Sequence, residues 1–421
     1  MKKLFVLLVF LLLSYSTGAT RAEEQPLSWI EAVVIAQKIH PDIISAEEKV
    51  NQAKQDKSLS KSGLFPQITA SESSSTSKVE KAKSTKAHSV SLSARQLLFD
   101  GSKTSTNVSA ALENIKAAQY NLDVVSSDIR RNLRFAFVEL LRAQELLGLT
   151  ENIAGRRKQN VELVGLRYEA GREHKGSLLT SKAGLAQAEY EVSQAKRQLE
   201  LSQSLLNKNL GEGKYRPIKV RGDFSLAAKF DEKPIIEKLA EENPFLKQLI
   251  ARKEAARIGI KSAKAEYFPQ VYADASASRS DKQFLPETDR WSAGLTVSFS
   301  VFEGGSRIAQ VEKSKSAFKQ TEAELLSGKD SVIYTLEQTW TNLKDAQENI
   351  VVAKKFLDAA QERSLIAQAQ YSNGLITFND WTIIEDSLVN AQKSYLNAQA
   401  NALVTEAGWV QAKGGRLDYE E

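Results

Sequence analysis

Along most of the chain apolar side chains recur every three to four residues, the period of an amphipathic helix. In two places that rhythm gives way to strict alternation, the period of a strand. The first helical stretch runs from about Leu27 to Lys61, carrying Ile30, Val33, Val34, Ile43, Ala46 and Val50, with Pro41 interrupting one turn. A Ser/Thr/Ala run over 68–76 follows, then a charged loop. From Ser89 to Leu98, Val90, Leu92 and Ala94 take one face and Ser89, Ser91, Ser93 and Arg95 the other. The second alternating region repeats this. Val271, Ala273, Ala275 and Ala277 oppose Tyr272, Asp274, Ser276 and Ser278; beyond a loop holding Pro286 and Asp289, alternation resumes from Leu295 to Val301. Each region predicts one β-hairpin with strands of about ten to twelve residues.

Long helices follow both hairpins. No proline lies between Pro66 and Pro217, and none after Pro286, so 102–168 and 306–371 are free to run unbroken for roughly 100 Å at 1.5 Å per residue. Leu336, Leu343, Ile350 and Leu357 repeat every seven residues, as do Ala346, Ala353 and Ala360, and Leu133, Leu140 and Leu147 in the earlier helix. Such spacing predicts supercoiled helices packed side by side. Tyr168 to Gly171 and Tyr371 to Gly374 end the long helices, and shorter return helices are expected over 177–210 and 380–413. With helices expected over 28–63 and 234–265, each long helix matches two short ones placed end to end.

The chain is a duplication. Phe65-Pro66-Gln67 recurs as Phe268-Pro269-Gln270, Phe99-Asp100-Gly101 as Phe302-Glu303-Gly304, Tyr168 and Gly171 as Tyr371 and Gly374, and Gly211 as Gly414, always 203 residues on. A constant offset means two copies of one unit with almost no net insertion. The expected division is a leader at 1–22, copies at 23–211 and 234–414, an irregular connection at 212–233 outside the helix stack, and a tail at 415–421.

Composition sets the address. Lys2 and Lys3 precede an apolar run from Leu4 to Leu13 and then small residues, the pattern of a secretory signal peptide cleaved after Ala19 or Ala22. Cleavage after Ala22 lowers the net charge from +5 to +2, and the remaining basic residues are interspersed with acids, so nothing points to nucleic acid. With no cysteine, an exported chain is held by packing or oligomerisation rather than disulfides. No stretch after residue 22 is apolar enough for a membrane helix, which leaves a β-barrel as the only route into a bilayer.

The four strands have the length and period of membrane strands, flanked by Phe65, Phe99, Phe268, Trp291 and Phe302 where an interfacial aromatic girdle would lie. Four strands cannot close a barrel alone, so membrane-spanning strands would require several chains. The competing expectation is a soluble sheet capping a coiled coil. The duplicated order of helix, Phe-Pro-Gln, hairpin, Phe-Asp/Glu-Gly, long helix, Tyr-x-x-Gly and return helix resembles the TolC family of outer-membrane efflux channels over essentially the whole mature chain. That resemblance implies a mainly α chain giving four strands to a twelve-stranded, homotrimeric barrel in the outer-membrane lipid of a Gram-negative bacterium. The barrel would continue as a long periplasmic α-helical barrel that docks onto a periplasmic adaptor and an inner-membrane transporter.

The resemblance also implies site residues. Tyr168, Gly171, Tyr371 and Gly374 would form the periplasmic tip; Arg172, Glu173, His174 and Lys175 make the first turn polar, either as an adaptor contact or simply as a solvated turn. Asp380 would give an acidic ring at the constriction, or serve simply as a helix N-cap. Where some relatives carry an arginine and a second acid, this chain has Ile376 and Ile383. Closure is therefore expected to rest on apolar contacts from Leu375, Ile376, Phe378 and Trp381, with Phe378, Trp381 and Ile383 joining Asp380 at the pore constriction. No catalytic, cofactor or metal site is expected: the three histidines are far apart, and the phosphate-loop-like Gly171 to Ser177 lacks the lysine that should follow its second glycine. The expected function is a passive exit duct for efflux or type I secretion; the alternatives are a non-conducting coiled-coil scaffold and a periplasmic adaptor.

Overall fold

The computed structural model describes residues 26–78, 80, 84–213, 215–226, 232–284 and 286–418; the expected leader lies outside them. The first copy comprises α1 (Trp29–Ile39), α2 (Pro41–Ser62), β1 (Gln67–Ser77), β2 (Thr85–Phe99), α3 (Lys103–Glu169) and α4 (Lys175–Leu210). The second repeats it as α5 (Ile236–Glu242), α6 (Pro244–Ala265), β3 (Gln270–Asp281), β4 (Thr288–Ser298), α7 (Ser306–Ser372) and α8 (Phe378–Ala412). Both long helices have 67 residues.

The opening helices are each split, which only Pro41 foretold. Pro41 and Pro244 both occupy the first position of a new helix, where a missing N–H costs nothing. His40 caps the first break by accepting the Asp42 N–H at 3.2 Å; Asn243 caps the second through the Phe245 N–H at 2.9 Å. Each break receives the end of the copy's own return helix. At Gly211 (φ +82) a Cβ would lie 2.8 Å from His40 Cα, and at Gly414 (φ +82) 2.3 Å from Pro244 Cδ. Left-handed backbone and close approach both require glycine there. The end-to-end placement expected from helix lengths is thus built from the same parts twice.

The strands form one antiparallel sheet in the order β1-β2-β3-β4. Gln67 faces Arg95 and Gln270 faces Ser298; Ser77 faces Thr85 and Ser280 faces Thr288. The two hairpins share one register at the 203-residue offset. One face carries Ile68, Ala70, Leu92, Ala94, Ala275, Ala277, Ala293 and Trp291; the other carries a lattice of hydroxyls, with Ser71 and Ser91 at 2.7 Å and Ser276 and Ser292 at 2.9 Å. The Arg95–Asp274 ion pair, at 2.6 Å, joins the hairpins on the polar face. A bulge between Leu97 and Phe99 puts Phe99 opposite Val271, on the apolar face.

Strand β4 differs from expectation at both ends. Asp289 lies within it, opposite Arg279, and it stops at Ser298 rather than Val301. Its partner β3 begins at Gln270, so Phe299 to Val301 have no strand beside them.

The helices form one layer. Nearer the sheet, α3 packs against α2 and α6, and α6 against α7; farther away, α3 packs against α4 and α8, and α8 against α7. The largest core, at mid-height, buries Ala32, Leu133, Phe137, Leu140, Leu206 and Leu210. The connection at 212–233 is not free of the stack. Ile218 and Val220 enter that core, Leu27 pairs with Val220, and the Gln144 amide both donates to and accepts from the Val220 backbone. The tail is pinned too: Leu417 is buried in the same core and Arg416 pairs with Asp123 at 3.0 Å. A second core is built on Leu336, Leu343, Trp340 and Trp409, the two indoles edge to face at 5.3 Å.

Candidate functional site: the tip of the helical layer

The end farthest from the sheet consists of the α3–α4 and α7–α8 turns. Their backbones match. Arg172 N–H donates to Arg167 C=O and Leu375 N–H to Gln370 C=O, both at 2.8 Å, closing a Schellman-type end through Gly171 (φ +70) and Gly374 (φ +78). The following helices are capped by side chains at matching positions. His174 accepts the Ser177 N–H at 3.2 Å, and Thr377 accepts the Asp380 N–H at 3.1 Å.

The side chains do not match. Tyr168 is exposed, whereas Tyr371 is buried, stacked on Trp381 with centroids 4.3 Å apart and planes 12° apart. Phe378 meets both rings edge-on, and Val164, Ala367, Ile376 and Ile384 complete the cluster. Polar residues of the first turn close over it. Arg167 lies 4.7 Å from the Tyr371 ring and donates to the Tyr371 and Ser372 carbonyls at 2.9 and 3.2 Å at the end of α7, where the Tyr371 carbonyl also accepts the Gly374 N–H. Tyr371 Oη donates to Glu173 Oε2 at 2.9 Å. One copy thus fastens the other.

Two protonation states follow. For Tyr371, burial first and the neighbouring Glu173 carboxylate second push the phenol well above its usual range. Burial also opposes ionisation of Glu173, but hydrogen bonds from Ser177, Tyr371 and the His174 amide outweigh it and hold the carboxyl below its usual value. A neutral phenol donating to an ionised carboxylate is the arrangement both shifts favour.

Behind the tip, α8 is tied to the first copy by charge. Arg156 bridges the buried Glu385 at 2.6 Å and Ser364 at 3.2 Å, Arg157 pairs with Asp386, and Lys393 pairs with Glu191 at 2.6 Å. None of these residues, nor Arg167, stood out in sequence. They are ordinary helix-surface charges until the pairing of helices some 200 residues apart is known.

Several expected tip residues therefore take other positions. Trp381 was expected at a constriction; it is only 2% exposed, because its ring is better accommodated against Tyr371 than in water. Phe378 and Ile376 pack in the same cluster, so of the expected apolar tip residues Leu375, at 73%, and Ile383, at 55% exposure, are the two presented outward. Asp380 is exposed and is not the N-cap: Thr377 is, and its hydroxyl also donates to Asp380 Oδ2 at 2.7 Å. Arg172 and His174 are exposed at the first turn. At the opposite end Phe65, Phe99, Phe268 and Phe302 stand exposed where helices meet strands, while Trp291 lies within β4 opposite Ala277, toward the far end of the sheet. No metal-binding group of histidines and carboxylates occurs among the described residues, and none of the described helices is long and apolar enough to cross a membrane.

The model of a protein family described as outer membrane efflux protein matches residues 33–212 and again 235–415. The chain belongs to the outer membrane efflux protein family. It is 23% identical over 394 residues to outer membrane efflux protein BepC of Brucella suis biovar 1 (strain 1330), covering 90% of this chain and 85% of that one. It is 23% identical over 447 residues to outer membrane protein TolC of Escherichia coli (strain K12), covering 98% and 87%. The fold is that of the Campylobacter jejuni CmeC outer membrane channel, with a TM-score of 0.83 at 16% identity over 93% of this chain and 87% of that one. As an outer membrane efflux protein the chain resides in the outer membrane and extends into the periplasm, and it is a conduit rather than an enzyme.

Proposed function

We propose that three copies of this efflux protein close into one exit duct, which passively passes substrates delivered by an inner-membrane transporter and a periplasmic adaptor. The observation that carries this reading is the open arc. The sheet ends in two unpaired edges, β1 and β4, and the helical layer ends at α2 and α4 on one side and α7 on the other. An open strand edge in lipid leaves backbone groups unsatisfied at several kcal/mol each, so four strands become a membrane structure only by joining other copies. The apolar sheet face would meet lipid and the hydroxyl lattice would line the lumen, with the phenylalanines at the periplasmic boundary and Trp291 toward the opposite one.

The tip would be the gate and the docking end. Three Asp380 carboxylates would ring the opening and favour cations. Leu375 and Ile383, left outward by the aromatic cluster, would meet their counterparts across the axis, and Arg172 and His174 would face the adaptor. Single-channel recording of the purified protein in planar bilayers tests the duct: discrete conductance steps are expected, and a trimer that never conducts would overturn it. Cross-linking from exposed positions at 168–177 and 371–380 in cells tests the docking end, where capture of an adaptor is expected and exclusive capture of unrelated periplasmic proteins would sink it.

A further inference from the structure

The internal repeat specifies more than the need for a second copy. We infer that β4 of one chain pairs with β1 of the next in the register of the β2–β3 joint, and that β4 lengthens to Phe302 on assembly. This rests on the closed-trimer reading above.

The β2–β3 pairing is the joint by which the first copy hands the sheet to the second; a closed ring needs the reverse handover from the second copy back to a first. Because both hairpins keep one register at the 203-residue offset, both handovers present the same strand geometry. Adding 203 to the β2 positions and subtracting it from the β3 positions converts one joint into the other. Leu92 opposite Ala277 becomes Leu295 opposite Ser74 of the partner subunit. Val90 opposite Arg279 becomes Ala293 opposite Thr76 of the partner subunit. Phe99 opposite Val271, past the bulge, becomes Phe302 opposite Ile68 of the partner subunit.

Three observations support this register. First, Phe299 to Phe302 follow β4 in the chain past the end of β3 and belong to no strand, yet Phe299, Val301 and Phe302, at 52%, 86% and 88% exposure, have the composition of one. In this register they gain one. Second, hydroxyl meets hydroxyl on the polar face: Ser298 falls opposite Ser71 of the partner subunit and Ser300 opposite Thr69 of the partner subunit, continuing the Ser71–Ser91 and Ser276–Ser292 rows across the joint. A slip of one residue would turn Leu295 and Val297 toward those hydroxyls and the serines toward lipid. Third, Phe302 stands at the 203-residue offset from Phe99, so a bulge like the one that turns Phe99 to the apolar face would carry a phenylalanine outward at the same height in both joints.

The chain has no cysteine, so disulfides can report the register directly. The double variant Ser74→Cys/Leu295→Cys should oxidise to a closed covalent trimer on non-reducing gels. Leu92→Cys/Ala277→Cys, its counterpart within one chain, calibrates the geometry. The two-residue slip pair Ser74→Cys/Ala293→Cys should give no more than about a tenth of the yield, because diagonal positions exceed disulfide reach. Variants are first checked, reduced, for the parent's assembly state by light scattering, which separates misfolding from mispairing. Preferential oxidation of the slip pair in an intact trimer would overturn the register alone. Failure of the Ser74/Leu295 pair, where the calibrating pair oxidises and the trimer is intact, would do the same. A parent that is monomeric in detergent and in membranes would overturn the trimer reading, and the register with it.

Discussion

The mid-height breaks and the tip turns sit at equivalent places in both copies but treat the duplication oppositely. At mid-height the parts repeat almost residue for residue: a capping side chain, a proline at the first helical position, and a left-handed glycine pressed against them. At the tip the backbones still agree, through Gly171 and Gly374, yet one turn is charged and its tyrosine exposed, whereas the other is aromatic and its tyrosine buried. The breaks set where helices begin and end, a demand both copies share. At the tip one turn covers the other, and that asymmetry fastens the two copies together from within.

If the breaks are the shared scaffold, damage there should be severe in either copy. Gly414→Val is expected to cost several kcal/mol: the left-handed backbone alone costs a side chain about 1–2 kcal/mol, and the new Cβ falls 2.3 Å from Pro244 Cδ. Gly211→Val should do nearly the same against the His40 backbone. Thermal unfolding of the purified protein checks this, and a large loss in one copy only would contradict the claim that the two breaks are mechanically equivalent.

At the tip the two tyrosine positions should behave unequally. Trp381→Ala removes a buried ring from the Tyr371 stack and should destabilise the tip by roughly 3–5 kcal/mol, whereas Tyr168→Ala should stay within about 0.5 kcal/mol. Hydrogen exchange across 160–180 and 365–385 reads this locally; equal protection loss would mean the aromatic cluster is not the fastening. Tyr371→Phe is the finer cut. It keeps the stack but leaves Glu173 without its phenol donor, a loss of about 1–2 kcal/mol, and should raise open probability in bilayer recordings without changing unit conductance.

The same hydrogen bond predicts a two-sided pH response. Glu173 titrates below its usual 4.5 in the folded tip, so its contribution is present above 4.5 and lost as pH falls through the lower folded value. Tyr371 titrates above its usual 10.0, so the phenol favours the closed tip up to about pH 10, and that contribution is lost as pH rises further. Channel opening should therefore increase at both extremes, with Tyr371→Phe removing the alkaline limb and Glu173→Gln the acid one. A monotonic profile would disconnect the gate from this bond.

How much of this could be read from the sequence depends on distance along the chain. The long helices were legible because they are written locally, in the absence of proline and the seven-residue leucine columns. The strands were legible from alternation, and even the overshoot at Val301 is informative: the pattern extends as far as a strand would once a neighbour exists. The second helix break was missed although its signal was present, since Pro41 and Pro244 keep the 203-residue offset. The aromatic cluster and the Arg156–Glu385 and Arg157–Asp386 pairs were not legible, because their members are joined by helix pairing rather than by spacing. Trp381 illustrates the cost: read by position it belonged in a pore, but packing took it into the core.

The smallest expected effect distinguishes the two mid-height caps. His40 and Asn243 do the same work, but only His40 can lose its acceptor, by protonating the Nδ1 that receives the Asp42 N–H. Burial lowers its pKa, partly offset by Asp42, so the folded state prefers the neutral ring. Stability from this cap is therefore full above the usual 6.5 and declines as pH falls from there through the lower folded value. His40→Asn should abolish that slope below pH 6.5 while leaving stability at pH 8 nearly unchanged, in unfolding midpoints measured as pH is lowered from 8. A slope that survives the substitution would place the titrating group elsewhere, and the two breaks would then differ by more than one side chain.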